Sequence, residues 1–240
     1  MRVTRTTAVG ASVTLVAAVA AGVTWASAGS AAPTIDPANF THPQQNSYYP
    51  LKPGTVERYR GTDGGKPFHE RVTVTHHRKS IEGVRAHVVL DVLRRADGSL
   101  AEKTRDWYAP DNDGNVWYLG EATATYDHAG NVKSRGGSWE AGAHGAVAGL
   151  IMPANPHPTD AYRQEYRRGH AEDQAWIVQA HAKLDVPYGH VDDVVRSFEW
   201  SRLERDVVSV KFYGPGLGIV SERDLTGGSE KFELVSVSHK

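Results

Sequence analysis

The sequence predicts an all-β fold: a single antiparallel sheet, strongly curved or half-barrel in shape, with a long covering loop and at most one or two short helices. Three observations carry that prediction. First, apolar residues recur with period two. In residues 84–92, Val84, Ala86, Val88, Leu90 and Val92 share one face, while Arg85, His87 and Asp91 share the other, with Val89 the exception, as in a half-buried strand. Second, turn signals punctuate such runs: Ala96-Asp97-Gly98, Asp113-Gly114-Asn115, His128-Ala129-Gly130-Asn131, Pro187-Tyr188-Gly189 and Thr226-Gly227-Gly228, residue types that meet the backbone demands of tight hairpins. Third, helical periodicity is scarce. The best helical stretches are residues 173–181 and a short turn within residues 143–150.

In chain order, the predicted strands are 55–60, 70–76, 84–92, 100–108, 116–118, 191–200, 206–213, 217–224 and 231–238, with about nine to twelve strands expected in all. Residues 136–158 read differently. They are rich in Gly, Ala and Pro yet contain Trp139, Leu150, Ile151 and Met152. The segment is expected to cover the concave side of the sheet, either as a lid over a cavity or as a connection whose apolar residues plug the sheet.

The chain start reads as an address. Arg2 and Arg5 precede an uncharged, apolar or small stretch over residues 8–25, and Ala26-Ser27-Ala28 has the small-x-small form of a cleavage site. Residues 1–28 are therefore expected to be a secretory signal peptide, leaving no transmembrane anchor after cleavage and a secreted or extracytoplasmic protein. Residues 29–47, with Pro33, Pro37, Pro43, Gln44, Gln45 and Asn46, read as a flexible linker. Residues 48–240 read as one β-rich domain.

Composition narrows function by exclusion. The 240 residues include no Cys, which removes disulfides, thiolate zinc sites and a Cys nucleophile. Loss of the signal leaves 25 basic against 28 acidic residues, a net charge of −3, and this overall balance predicts no nucleic-acid partner. No GxSxG, HExxH or phosphate-cradling glycine loop occurs. Twelve histidines are present, and the adjacent His76 and His77 are expected on opposite faces of a strand. His170-Ala171-Glu172-Asp173 reads as a helix start, its acids complementing the macrodipole.

Two candidate sites remain. Asp111, Asp113 and Asn115, with Glu121 just beyond, alternate oxygen side chains around a turn, a pattern that suits calcium. Val116 and Ala122 stand where an EF-hand loop needs Gly and Glu, and a plain hairpin turn accounts for the same residues. Calcium is the one cofactor this sequence suggests. The aromatic set Trp107, Trp117 and Trp139, with Met152, is the candidate binding set for a small apolar or amphipathic ligand on the concave sheet face; core packing is its alternative.

Several phrases carry a resemblance: Tyr49-Pro50-Leu51-Lys52-Pro53-Gly54-Thr55, Asp106-Trp107-Tyr108-Ala109, Asp113-Gly114-Asn115-Val116-Trp117-Tyr118, Gly137-Ser138-Trp139-Glu140-Ala141-Gly142 and Tyr162-Arg163-Gln164-Glu165-Tyr166. In these the chain resembles a family of exported bacterial proteins, mostly actinobacterial, of unknown function. The resemblance implies an exported protein and brings no activity, so it assigns no catalytic residue. The expected function is that of an exported, non-catalytic binding or envelope protein. The alternatives are an exported hydrolase using Glu, His and Asp, and a calcium-stabilised cell-surface module. Oligomeric state is not set by any of these features.

Overall fold

The computed structural model describes residues 35–239; the expected signal peptide lies outside the described residues. After a 3-10 turn at Pro37–Phe40 the chain is built of strands. Five long strands come first: β1 (Thr55–Asp63), β2 (Lys66–Ile81), β3 (Val84–Arg95), β4 (Leu100–Pro110) and β5 (Val116–Tyr126). Five short ones follow: β6 (Val132–Ser134), β7 (Trp139–Glu140), β8 (Val147–Met152), β9 (Ala161–Arg163) and β10 (Glu165–Tyr166). The last five are β11 (Asp173–Val186), β12 (Gly189–Ser201), β13 (Val208–Gly214), β14 (Gly218–Thr226) and β15 (Lys231–His239).

All fifteen belong to one antiparallel sheet in the order β10-β8-β5-β4-β3-β2-β1-β15-β14-β13-β12-β11-β9, with β6 and β7 also paired to β5. Two meanders, β1–β5 and β11–β15, are joined by the β1–β15 pairing. The two ends of the sheet, β10 and β9, are separated in the chain by Gln164 alone. The Gln164 N–H donates to the Asp173 carbonyl at 2.8 Å. The sheet thus curls until its edges almost meet, a nearly closed barrel, which protects both edges from pairing with another chain. The seam is tight: a Cβ on Gly149 would lie 2.3 Å from the Gln164 carbonyl oxygen.

All five predicted turns fall at hairpin connections. Residues 136–158 contribute β7 and β8 to the sheet, and Trp139, Ile151 and Met152 are buried in the main apolar cluster, so this segment plugs the sheet. The expected helices are corrected. Residues 173–181 lie in β11, and residues 147–150 lie in β8. The apolar spacing that suggested a helix also fits a strand, because Asp173, Ala175 and Ile177 are buried while Trp176 between them is exposed. Asp173 opens a strand, not a helix.

Residues 35–47 fall within the segment expected as a linker, and the structure lays them along the barrel. Asn46, 4% exposed, donates through Nδ2 to the carbonyls of Gly114 and Pro153, both at 2.8 Å, and accepts the N–H groups of Tyr48 and Tyr49. Phe40 meets Trp117 edge to face at 6.5 Å. One buried amide using all its bonding capacity pins the arm; composition signals polarity but not such partners.

Candidate functional site

Strand pairing arranges the barrel wall in cross-strand rows. One row runs Val74, Val89, Asp106, Glu121 and Trp139; the next runs Glu57, Val72, Asp91, Thr104 and Thr123. Many of these inward positions are acidic, and burial governs their chemistry. Asp106 and Glu121 are 0% and 2% exposed and converge on one hydroxyl: Tyr118 Oη lies 2.7 Å from Asp106 Oδ1 and 3.0 Å from Glu121 Oε2. One hydroxyl proton cannot serve both, so a protonated carboxyl supplies the second bond. Burial raises the pKa of both acids, and the Asp106 charge raises that of Glu121 further. Glu165 accepts from the Trp139 indole at 2.6 Å, and burial and Asp173 push its pKa up. Burial pushes Glu57 up to about 7 and Asp173 up to about 6.

The opposite wall holds Lys211, 3% exposed. Its ammonium lies 3.2 Å from Glu199 and 3.6 Å from Glu222. Burial alone would raise the Glu199 carboxyl, but Lys211, the Tyr213 hydroxyl (2.6 Å) and the Ser197 hydroxyl (2.8 Å) outweigh it and hold it low. Tyrosine and serine hydroxyls and one ammonium serve this polar core, while Asp106 Oδ2, Glu121 Oε1 and Glu165 Oε1 are buried without a hydrogen-bond partner.

The predicted residues are placed as follows. Trp107, Trp139 and Met152 are buried in one cluster, with Trp117 packed against it. The Lys79 ammonium sits 3.5 Å from the Trp107 ring centre and pairs with Glu140 at 2.6 Å. Asp111, Asp113 and Asn115 share the β4–β5 turn, whereas Glu121 joins Asp106 and Tyr118. The Asp111 carboxylate accepts four N–H groups: backbone Asp113 and Asn115, the Asn115 amide and the Trp117 indole, all at 2.8–2.9 Å. Among the described residues, no three His, Asp or Glu side chains are disposed to hold a metal ion. Exposed His–carboxylate pairs lie on the β11–β12 hairpin, His181–Asp193 (2.5 Å) and His190 with Asp185 (2.7 Å) and Asp192 (3.4 Å), and His128 pairs with Asp97 at 3.5 Å.

The sequence reasoning missed an open groove of about 540 Å³ beside a bulge in β2. Val74 pairs with Val89 and Arg78 with His87, so residues 75–77 stand opposite Val88 alone. The Thr75 hydroxyl donates to the Val88 carbonyl at 2.6 Å, and the His77 N–H donates to that hydroxyl at 3.2 Å, which fixes the bulge. Val56, Val88 and Leu90 give the groove apolar lining, and Arg105, His76 and His77 supply its polar groups. The signal present in the sequence was Thr75-His76-His77, which breaks the alternation of its strand.

The outward rows beside this groove are basic. Arg58 stands directly opposite Arg71, and His69 stands between Arg60 and Arg94. Lys103 follows across Val92, and Arg105 pairs with Leu90. Arg58, Arg60, His69, Arg71, Arg94 and Arg105 are exposed. Among the described residues none of these six, nor Lys103, forms an ion pair.

No protein-family model and no curated protein matches the chain. Two solved structures are similar. One, from Bacteroides fragilis, is provisionally described as an exported protein with a YmcC-like fold; it is 14% identical, with a TM-score of 0.46 over 80% of this chain and 99% of that one. The other, from Parabacteroides distasonis, is provisionally described as a lipoprotein; it is 13% identical, with a TM-score of 0.45 over 81% of this chain and 100% of that one. Neither comes from the actinobacteria, where the sequence resemblance placed the family. No helix among the described residues is long and apolar enough to cross a membrane.

Proposed function

We propose that the chain is an exported, non-catalytic binding protein that holds a small amphipathic ligand in the groove beside the β2 bulge. The observation that carries this reading is the groove itself. Its volume of about 540 Å³ falls within the roughly 300–1,000 Å³ of small-molecule sites, and it combines apolar walls with a few polar groups, as such sites do. The expected placement on the concave face gives way to this outward position, because Trp107, Trp139 and Met152 are taken up in core packing.

The test is titration of the purified protein with a twelve-carbon amphiphile below its micellar concentration, followed by calorimetry, in the wild type and in Leu90→Gln. Leu90 is half-buried in the groove wall. Saturable one-to-one binding that weakens about tenfold or more in the variant supports the reading, since a polar amide there cannot pack an alkyl chain. Absence of binding, or binding indifferent to Leu90→Gln, overturns it.

A further inference from the structure

We infer that the groove selects ligands with an anionic headgroup, a phosphate or carboxylate, held by the cationic rows at its edge; this rests on the reading of the groove as the binding site. The argument starts from a cost. Like charges directly opposite on neighbouring strands are destabilising. Yet Arg58 faces Arg71, and Arg60, His69 and Arg94 form one continuous row. Folding does not require cations there, since any polar residue would serve an exposed strand face. Glu233 stands opposite Arg60 on β15, but the cross-strand neighbours of Arg58, Arg71, Lys103 and Arg105 include no carboxylate.

Position gives the unpaired cations a use. Arg105 belongs to the groove and pairs across the sheet with Leu90 in its wall. Lys103 lies two residues along β4, on the same face and about 7 Å away, and Arg71 lies two residues from Thr73 in the groove. An alkyl chain against Val56, Val88 and Leu90 would therefore put its headgroup among Arg105, Lys103 and Arg71. Guanidinium groups bind phosphate and carboxylate bidentately, which favours such headgroups over neutral or zwitterionic ones.

The experiment compares lysophosphatidylglycerol with lysophosphatidylcholine of the same chain length, both as monomers, by calorimetry at low salt. The expected result is about tenfold tighter binding of the anionic lipid, a preference that shrinks on addition of 0.5 M salt. The double variant Arg71→Gln, Lys103→Gln, at two positions outside the groove lining, should reduce the preference severalfold while keeping the affinity for lysophosphatidylcholine. Its melting temperature reports that it folds. Equal affinity of the wild type for the two lipids overturns the inference and leaves the groove reading standing. Binding of neither lipid overturns the groove reading itself. Anionic binding that Leu90→Gln leaves unchanged, and that DNA or heparin competes away, overturns both, because the cations would then serve a polyanion. Flotation with phosphatidylglycerol vesicles identifies the source: flotation assigns the headgroup to a bilayer, and binding of the monomer alone assigns it to a free lipid.

Discussion

Replacing Glu57 by Gln should change how stability depends on pH, by an amount the structure sets. Glu57 is buried, and its Oε2 accepts the Tyr59 hydroxyl at 2.9 Å, a bond that a Gln oxygen can keep. Burial raises its pKa from 4.5 to about 7, against a smaller lowering by the Tyr59 bond. The native state therefore keeps a proton that the unfolded chain releases. Below about pH 4.5 both states are protonated and the carboxyl costs nothing. As pH rises from about 4.5 to about 7 the unfolded state alone ionises, so stability falls; above about 7 the loss is complete and constant. A displacement of this size is worth about 3 kcal/mol. The assay is urea unfolding of wild type and Glu57→Gln at pH 4.5, 6 and 7.5. The wild type should lose about 3 kcal/mol relative to the variant across that range, equivalent to roughly 6–12 °C in melting temperature for a domain of this size. A difference between the two proteins that stays constant with pH would refute the assignment of a neutral, buried Glu57.

Four further outcomes are expected. Lys211→Met should cost about 3–5 kcal/mol at pH 7, because it strands the buried Glu199 beside the ammonium it lost; unfolding at pH 4.5, where Glu199 can take up a proton, should show much of that loss recovered. Gly149→Ala should prevent folding or cost more than about 3 kcal/mol, since its Cβ would meet the Gln164 carbonyl at the barrel seam; a circular-dichroism melt of wild-type shape and midpoint would contradict the seam. Asn46→Ala should remove about 2–3 kcal/mol by leaving buried carbonyl and N–H groups unmatched, and limited proteolysis should then cut first within residues 35–50. Asp111→Ala should cost about 2–4 kcal/mol through four stranded N–H donors. Millimolar calcium should leave the wild-type melting temperature unchanged, because a cation would have to displace those same donors; a calcium-dependent rise would show that it does.

Local chemistry explains which parts of the fold were legible. Turns such as Asp113-Gly114-Asn115 announce themselves because few residues accept positive φ, and Gly114 does have φ of +91°. Alternation located strand 84–92, but not its buried face: Val89 and Asp91 point into the barrel and are buried, while Val88 and Leu90 of the apolar set line the outward groove. Residues 173–181 were misread because positions four apart lie on one face in a strand as well as in a helix. Their neighbour Trp176 points outward, against the expectation that a large aromatic is buried. The arm through Asn46 was illegible for another reason. Its partners, the carbonyls of Gly114 and Pro153, are 68 and 107 residues away, and no local pattern encodes a bond of that reach. The convergence of Asp106 and Glu121 on Tyr118 is intermediate. Residues 106 and 121 are fifteen apart in a predicted hairpin, but the bulge between Trp107 and Tyr108 that brings them opposite one another is set by Gly120, whose φ is +135° and whose Cβ would lie 2.4 Å from the Trp139 carbonyl oxygen.

The charge reading shows what an overall balance conceals. A chain with 27 basic and 28 acidic residues suggests no charged partner if the two signs are mixed over its surface. A β-strand does not mix them. It sends odd and even positions to opposite faces, and the first strands of this chain use that parity to sort charge. Glu57, Arg58, Tyr59 and Arg60 alternate inward acid or tyrosine with outward base; so do His69, Glu70 and Arg71, and so do Glu102, Lys103, Thr104, Arg105 and Asp106. Among the inward acids, Glu57 and Asp106 have raised pKa values and accept tyrosine hydroxyls, while the outward bases Arg58, Arg71, Lys103 and Arg105 face no carboxylate across the strands. The cationic face beside the groove and the raised carboxyl pKa values inside the barrel thus share one origin in the alternation of these strands. Charge counted by strand parity, rather than over the chain, would have exposed both from the sequence.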